Sequence, residues 1–125
     1  MTPEKIVEKL SLEECKALQF DVDIIESKAT FSKNANRYLK SRSAPEGISD
    51  IVGNDSNGIA VFIELKAKGK LKTLRPKQRE FLIRKIESCC FAVVIDNPEN
   101  ITKYYLRFLS LPKIERQAYL KSILP

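Results

Sequence analysis

The chain has 125 residues, a net charge of +6 and no histidine. Its length fits one domain with a single core, and its content of 43% hydrophobic and 30% charged residues excludes a disordered chain. The lack of histidine excludes histidine zinc sites and Ser-His or Cys-His nucleophile pairs, and three cysteines are too few for a four-thiolate zinc site.

The cellular setting is predicted from what the sequence lacks. No apolar run approaches the roughly 18 residues of a membrane-spanning helix, and the N-terminus does not have the pattern of a signal peptide. The three cysteines do not form a disulfide framework. We therefore expect a cytoplasmic protein in a reducing environment, without a membrane partner.

The chain is predicted to begin with a helix. Thr2 and Pro3 are typical of a helix start, with a hydroxyl at the N-cap and proline at the first helical position. The segment Ser11-Leu12-Glu13-Glu14 has the form of a second capping box. The pattern therefore predicts a helix that breaks and restarts at Ser11 and ends at about Gln19.

A strand and a long basic loop are predicted next. The alternation Phe20-Asp21-Val22-Asp23 indicates a half-exposed strand that ends near Ile25. Residues 28 to 47 are polar and basic, which is typical of a loop, and a short helix is predicted around Ala35 to Leu39.

The remaining elements complete an α/β pattern. They are predicted as strands at Ile48–Gly53, Ile59–Lys66 and Phe91–Ile95, and as helices at Pro76–Ser88, Ile101–Leu109 and Lys113–Leu124. The order αβββαβ followed by two helices predicts one mixed sheet flanked by helices. The whole chain forms one predicted domain, with a core of about residues 1–100 and a helical extension of about residues 101–125.

Acidic and basic residues meet at the end of one predicted strand. Glu64 and Lys66 stand two positions apart, so their side chains project from the same face, and Asp50 lies in the neighbouring strand. Carboxylate oxygens are natural ligands of Mg²⁺ or Mn²⁺, and the backbone carbonyl of Leu65 is a candidate third ligand. Lys66 would orient a water molecule or hold charge on a phosphate. The alternative is an ordinary charge pair at an exposed strand end.

Basic residues flank this predicted site in the sequence. Residues 66 to 85 contain nine basic residues and one acid, and residues 28 to 42 contain five basic residues and no acid. Such patches suit a polyanion, although a solvated surface is the alternative interpretation. The candidate nucleic-acid-binding residues are Lys33, Arg37, Lys40, Arg42, Lys68, Lys70, Lys72, Arg75 and Lys77.

Three segments together resemble the VRR-NUC branch of the PD-(D/E)XK nuclease superfamily. They are Gly47-Ile48-Ser49-Asp50-Ile51, Val61-Phe62-Ile63-Glu64-Leu65-Lys66 and Gln78-Arg79-Glu80-Phe81, and the resemblance continues through Phe91-Ala92-Val93-Val94-Ile95-Asp96. It covers roughly residues 46 to 101. It implies a restriction-endonuclease-like core.

The resemblance also implies roles for individual residues. Asp50 and Glu64 match the metal-binding acids, and Lys66 matches the catalytic lysine. Gln78 matches a glutamine that supports the site, although it could equally form the polar margin of its helix's buried stripe. The acid from the first helix falls on Glu4, with Glu8 as the other candidate. Ser49 departs from the family, which usually has proline there.

The resulting hypothesis is a metal-dependent DNA endonuclease. Small stand-alone members of the family, encoded by phages and mobile elements, dimerise and cut branched DNA such as four-way junctions, and a homodimer is therefore expected. Its candidate interface is the apolar side of the C-terminal helices: Leu106, Leu109, Ile114, Leu120 and Ile123. The alternatives are a nickase or restriction-type nuclease acting on duplex DNA, a non-catalytic DNA-binding module, and RNA as the substrate.

Overall fold

The computed structural model describes residues 1–25, 30–32, 37–39 and 45–125, and side chains within 1–25 and 45–125. The helices are α1 (Pro3–Ala17), α2 (Pro76–Glu87), α3 (Glu99–Ser110) and α4 (Lys113–Ser122), with a short 3-10 helix at Leu71–Thr73. The strands are β1 (Asp21–Ile24), β2 (Thr30–Ser32), β3 (Arg37–Leu39), β4 (Ile51–Asn54), β5 (Ala60–Leu65) and β6 (Phe91–Ile95). None of the helices in these ranges is long and apolar enough to cross a membrane.

The main sheet is mixed and has the strand order β1-β4-β5-β6. The β1–β4 and β4–β5 pairs are antiparallel, and β5 pairs with β6 in parallel. A parallel neighbour needs a crossover connection, and α2 provides it. Strands β2 and β3 form a separate two-stranded sheet. The predicted α/β protein with a mixed sheet flanked by helices is therefore confirmed.

Helices cover both faces of the sheet. Phe91 of β6 contacts Tyr105 of α3, with ring centroids 5.3 Å apart. Phe62, which lies on the opposite face because side chains alternate along β5, contacts Phe81 of α2 at 5.5 Å. All five residues of β6 are buried, as expected for a strand enclosed on both sides. The C-terminal helices belong to the same core, since α3 and α4 contribute Tyr105 and Leu120 to it.

Helix α1 is continuous, so the predicted break at Ser11 is wrong. Val7, Ser11 and Cys15 are all buried and are spaced four residues apart, which places them on one face of the helix. Ser11 therefore points into the protein rather than capping a new helix. The cap at Thr2 is present, because its hydroxyl accepts a hydrogen bond from the Lys5 N–H at 3.2 Å.

The short helix predicted around Ala35 to Leu39 is also wrong over the residues that the structure describes. Arg37–Leu39 form β3 and pair with β2, so that Phe31 lies opposite Tyr38. Aromatic residues favour strands, and the partner strand satisfies backbone groups that a helix would satisfy internally. Such pairing cannot be detected from local periodicity.

The five residues of the predicted dimer interface differ in their exposure. Leu120 is 1% exposed, and Leu109 and Ile123 pack against the buried cluster. Leu106 and Ile114 are exposed, at 56% and 90%. Leu120 therefore belongs to the chain's own core, whereas the other four candidate residues keep some exposed surface and the predicted interface stays a prediction.

Candidate active site

The site forms where β4 begins and β5 ends. Because Ile51 pairs with Ile63, the antiparallel register places Asp50 opposite Glu64, on the same face of the sheet. Asp50 is held there, since its Oδ2 accepts a hydrogen bond from the Leu65 N–H at 2.8 Å. The Asp50 carbonyl also accepts a hydrogen bond from the Ile25 N–H at 2.8 Å, which extends the pairing with the edge strand.

Glu64 is a buried acid with an unsatisfied oxygen. Its side chain is 2% exposed, and Oε2 is buried without a hydrogen-bond partner. The pKa of Glu64 is raised to about 9, chiefly by burial and then by the hydrogen bond to Asp50 and the charges of Asp50 and Glu4, while the charge of Lys66 acts in the opposite direction. The raised pKa favours the protonated form of Glu64 unless a further cation compensates its charge.

Lys66 and Gln78 connect this pair of acids to helix α2. The Lys66 Nζ donates a hydrogen bond to Gln78 Oε1 at 3.0 Å. The same oxygen accepts a hydrogen bond from the Arg75 N–H at 2.9 Å, so Gln78 also caps the first turn of α2. Gln78 is therefore more than the polar margin of a buried stripe, because its carbonyl oxygen joins the end of β5 to the start of α2.

The two acids of α1 differ in their position. The charge of Glu4, in the first turn, contributes to the raised pKa of Glu64. Glu8 instead forms an ion pair with Lys5, with 3.2 Å between Nζ and Oε2. Of these two acids, Glu4 is the one whose charge acts on Glu64, and Glu8 is paired with Lys5.

The residues present fit a small hard cation bound mainly by two acids. Across the described ranges, no three His, Cys, Asp or Glu side chains are grouped closely enough to hold a metal ion. Asp50 and Glu64 alone remain as side-chain ligands, and the unsatisfied Glu64 Oε2 is available for a cation. Mg²⁺ is commonly held by one or two carboxylates, with water and substrate phosphates completing its shell, so this donor set suits it.

Basic residues lie on the chain between the site and α2. Lys68, Lys70, Lys72, Arg75 and Lys77 are all exposed. Lys77 forms an exposed ion pair with Glu80 at 3.4 Å. The other four belong to the segment that leads from Lys66 into α2, so their positive charges follow the site directly along the chain.

The second predicted basic patch cannot be placed beside the site. Lys33, Lys40 and Arg42 lie outside the described residues. Arg37 lies in β3, where the description covers the backbone.

Two contacts that the sequence analysis did not predict fix the geometry of the site. Gly47 has a φ of +79°, and a Cβ there would approach the carbonyl carbon of Lys77 to 2.6 Å and the Gln78 nitrogen to 3.0 Å. Gly47 thereby lets the segment before Asp50 touch the first turn of α2. The turn-forming run from Pro45 to Gly47 was the available signal, but its partner lies 30 residues further along the chain.

The buried Asp55 supports the β4–β5 connection from the other end. Its Oδ1 accepts hydrogen bonds from the Asn57 and Ile59 N–H groups at 2.9 and 2.7 Å. Its Oδ2 accepts a hydrogen bond from the Tyr105 hydroxyl at 2.6 Å, which ties the turn to α3. This turn helps to set the register of β4 and β5, and so the alignment of Asp50 with Glu64.

A groove of about 720 Å³ lies at the opposite end of β5. It is lined by apolar residues such as Ile86, Phe108 and Leu109, with Lys113 and Arg116 among its polar residues. None of the predicted site residues lines it. The candidate site is therefore a cluster at the edge of the sheet and not part of this groove.

Comparison with family models, curated proteins and solved structures found no match for this chain.

Proposed function

We propose that the protein is a Mg²⁺- or Mn²⁺-dependent endonuclease that hydrolyses phosphodiester bonds in DNA. The observation that carries this proposal is the alignment of Asp50 with Glu64 on adjacent strands, with Lys66 next to them. Two carboxylates, one with an unsatisfied buried oxygen, suit a divalent cation. With the separate β2–β3 sheet set aside, the order αβββαβ is the one expected for a restriction-endonuclease-like core of the VRR-NUC type, to which α3 and α4 are added.

Each residue has a distinct chemical task in this proposal. When bound, the metal ion supplies a Lewis acid that activates water and stabilises developing negative charge. Asp50 and Glu64 hold the ion, and Glu64 must release its proton to do so. Lys66 orients the attacking water or neutralises charge on the phosphate. Gln78 holds the ammonium group of Lys66 in place through the 3.0 Å hydrogen bond.

A nucleic acid is the substrate class that the surrounding charge favours. The exposed Lys68, Lys70 and Lys72 follow directly after Lys66, where they can neutralise phosphates near the scissile bond. The choice of DNA over RNA comes from the resemblance to the nuclease family. Both substrates must therefore be tested.

We further propose a preference for branched DNA, with the protein acting as a homodimer. One small domain has one site, so symmetric cleavage of two strands needs two copies related by a two-fold axis. Light scattering across micromolar concentrations tests the dimer. A monomer at all concentrations would exclude the symmetric mode and leave a nickase.

The decisive experiment is cleavage of a labelled four-way junction and a labelled linear duplex with Mg²⁺, Mn²⁺ or EDTA. Lys66→Ala should abolish cleavage and leave binding largely intact, and Lys103→Ala on the exposed side of α3 is the matched control. Asp50→Asn should abolish the metal-dependent activity. Full activity of Lys66→Ala would disprove the assignment of the site.

The substrate panel also separates the alternatives. Equal cutting of the duplex and the junction would remove the junction preference. Binding without cleavage of either DNA, followed by the same result with RNA, would favour a non-catalytic binding module.

A further inference from the structure

A hydrogen bond ties the basic segment to the neighbouring strand. Asp96 follows directly after β6, and its Oδ2 accepts a hydrogen bond from the Gly69 N–H at 2.9 Å. Gly69 lies in a turn with a φ of +79°, in which the Lys70 N–H donates to the Ala67 carbonyl at 2.9 Å. The side chain of Asp96 therefore fixes a turn three residues after Lys66.

This contact continues the pairing of β5 with β6. The Lys66 N–H donates to the Ile95 carbonyl at 2.9 Å, so the backbones stay paired up to the residue before Asp96. Beyond that point the two backbones no longer pair. The segment after Lys66 is held there by the Asp96 carboxylate instead of by a backbone carbonyl. At its other end the segment is anchored by Leu71 and Leu74, which pack against the core.

The negative charge of Asp96 does not by itself favour the binding of a polyanion. Lys68, Lys70 and Lys72 are exposed on the segment that Asp96 holds. A carboxylate beside this segment lowers the local positive potential and so, by charge alone, weakens attraction for a polyanion. Its hydrogen bond to Gly69 supplies a different reason for an acid at this position.

We propose that Asp96 is a positioning residue for nucleic-acid binding. By fixing the Gly69 turn, Asp96 holds Lys68 and Lys70 beside the site. Less conformational entropy is then lost when phosphates bind. This inference rests on the proposed function for its ligand, a nucleic acid, but the contact itself can be tested independently.

Two substitutions separate position from charge. Asp96→Asn removes the charge but keeps an oxygen that can accept the hydrogen bond from Gly69, whereas Asp96→Ala removes both. Binding of each variant to labelled duplex DNA is measured in EDTA by fluorescence anisotropy. We expect Asp96→Ala to bind about tenfold more weakly than the native chain, and Asp96→Asn to bind at least as tightly as the native chain. Equal tightening by both variants would mean that Asp96 acts through charge, and the proposal would fail.

Amide exchange of Gly69, followed by NMR, provides a readout that does not depend on activity. Exchange should be about tenfold faster in Asp96→Ala and unchanged in Asp96→Asn, because only the alanine variant lacks an acceptor. Unchanged exchange in Asp96→Ala would overturn the proposal.

Kinetics distinguish failure of this inference from failure of the proposed function. In cleavage assays we expect Asp96→Ala to raise KM with little change in kcat, because Asp96 does not touch the reacting atoms. If the native chain binds DNA but does not cleave it, the endonuclease proposal fails, and the binding and exchange results still decide the role of Asp96. If the native chain cleaves DNA and both variants match it in binding and KM, the role of Asp96 is refuted and the endonuclease is retained.

Discussion

Glu64 is buried at the edge of the sheet next to another acid, an arrangement that costs folding free energy in the metal-free protein. Its pKa of about 9 means that the folded chain keeps this carboxyl protonated at neutral pH. A divalent cation would replace that proton and remove the cost. Strongly perturbed acids cluster at functional sites, and the raised pKa of Glu64 supports the metal-binding role that we propose for it.

The metal-free protein is predicted to lose stability as the pH rises from about 4.5 to about 9. In the unfolded chain Glu64 releases its proton near its ordinary pKa of 4.5, but the folded chain holds it until about 9. Within this window the unfolded state binds fewer protons, so the free energy of unfolding falls by up to about 1.4 kcal/mol per pH unit. Glu64→Gln should remove this contribution, as measured by urea unfolding in EDTA between pH 5 and pH 9.

Glu13→Gln is the control for this experiment, because Glu13 is an exposed acid on α1. The free energy of unfolding of Glu13→Gln should follow that of the native chain between pH 5 and pH 9. The free energy of unfolding of Glu64→Gln, relative to that of the native chain, should increase with pH. A difference between the two that stays constant with pH would contradict the raised pKa of Glu64.

Ser49 is predicted to destabilise the protein through its hydroxyl group. It is 1% exposed, and its Oγ has no hydrogen-bond partner. Burial of an unsatisfied hydroxyl is costly, so Ser49→Ala should raise the free energy of unfolding by about 1 kcal/mol. Chemical denaturation measures this, with Ser88→Ala as the control, because the Ser88 hydroxyl is exposed and donates to the Arg84 carbonyl at 3.0 Å. Destabilisation by Ser49→Ala would show that the hydroxyl has a partner, such as water.

At the scale of elements, the contact between Gly47 and α2 is predicted to be essential for the site. Gly47→Ala would combine a left-handed backbone conformation with a clash against the backbone of Lys77 and Gln78. Gly58→Ala shares the positive φ, at +85°, but a Cβ there meets no atom within 4 Å. We expect Gly58→Ala to cost about 1 kcal/mol, and Gly47→Ala to cost more than about 2 kcal/mol and to lower cleavage activity.

Thermal unfolding and cleavage assays on both glycine variants test this prediction. The comparison isolates the clash, because the backbone strain is common to the two variants. Equal losses of stability would mean that the segment before Asp50 can move away from α2 without cost.

The elements that could be predicted from the sequence are those whose signals are local. The alternation and apolar runs of β5 and β6 and the proline at the start of α2 located those elements to within a residue or two. Strands β2 and β3, which both lie in the predicted loop, were missed because each is stabilised by the other, a separate segment. The break expected at Ser11 failed because a capping pattern does not reveal which face of a helix is buried.

The same distinction applies to the residues around the site. Alternation along β5 predicted that Glu64 and Lys66 share a face, and the register with β4 brought Asp50 opposite Glu64. The contacts that hold these groups were not predictable, because Gly47 meets α2 and Asp96 meets Gly69 only after the chain has folded. A single sequence does not show which distant positions come into contact in the folded protein.

At the scale of the whole molecule, charge is distributed unevenly around the two acids. On the edge strand β1, Asp21 and Asp23 are exposed. The segment between β5 and α2 carries the exposed Lys68, Lys70, Lys72 and Arg75. Among the described residues, those of β1 repel a polyanion and those of the segment before α2 attract it, so we expect this basic segment to contribute to the binding.

Replacing Lys68, Lys70 and Lys72 by glutamine is therefore predicted to weaken DNA binding and to flatten its dependence on salt. For each lysine that neutralises a phosphate, its replacement should reduce the slope of log K against log salt by about 0.9, and the triple variant should reduce it by up to about 2.7. Fluorescence anisotropy at several salt concentrations measures both effects. The matched control replaces Lys9, Lys16 and Lys103, which are exposed on α1 and α3, and removes the same net charge. A smaller slope in the first variant alone would assign phosphate binding to the basic segment, whereas equal reductions would indicate that net charge and not a defined surface attracts the DNA.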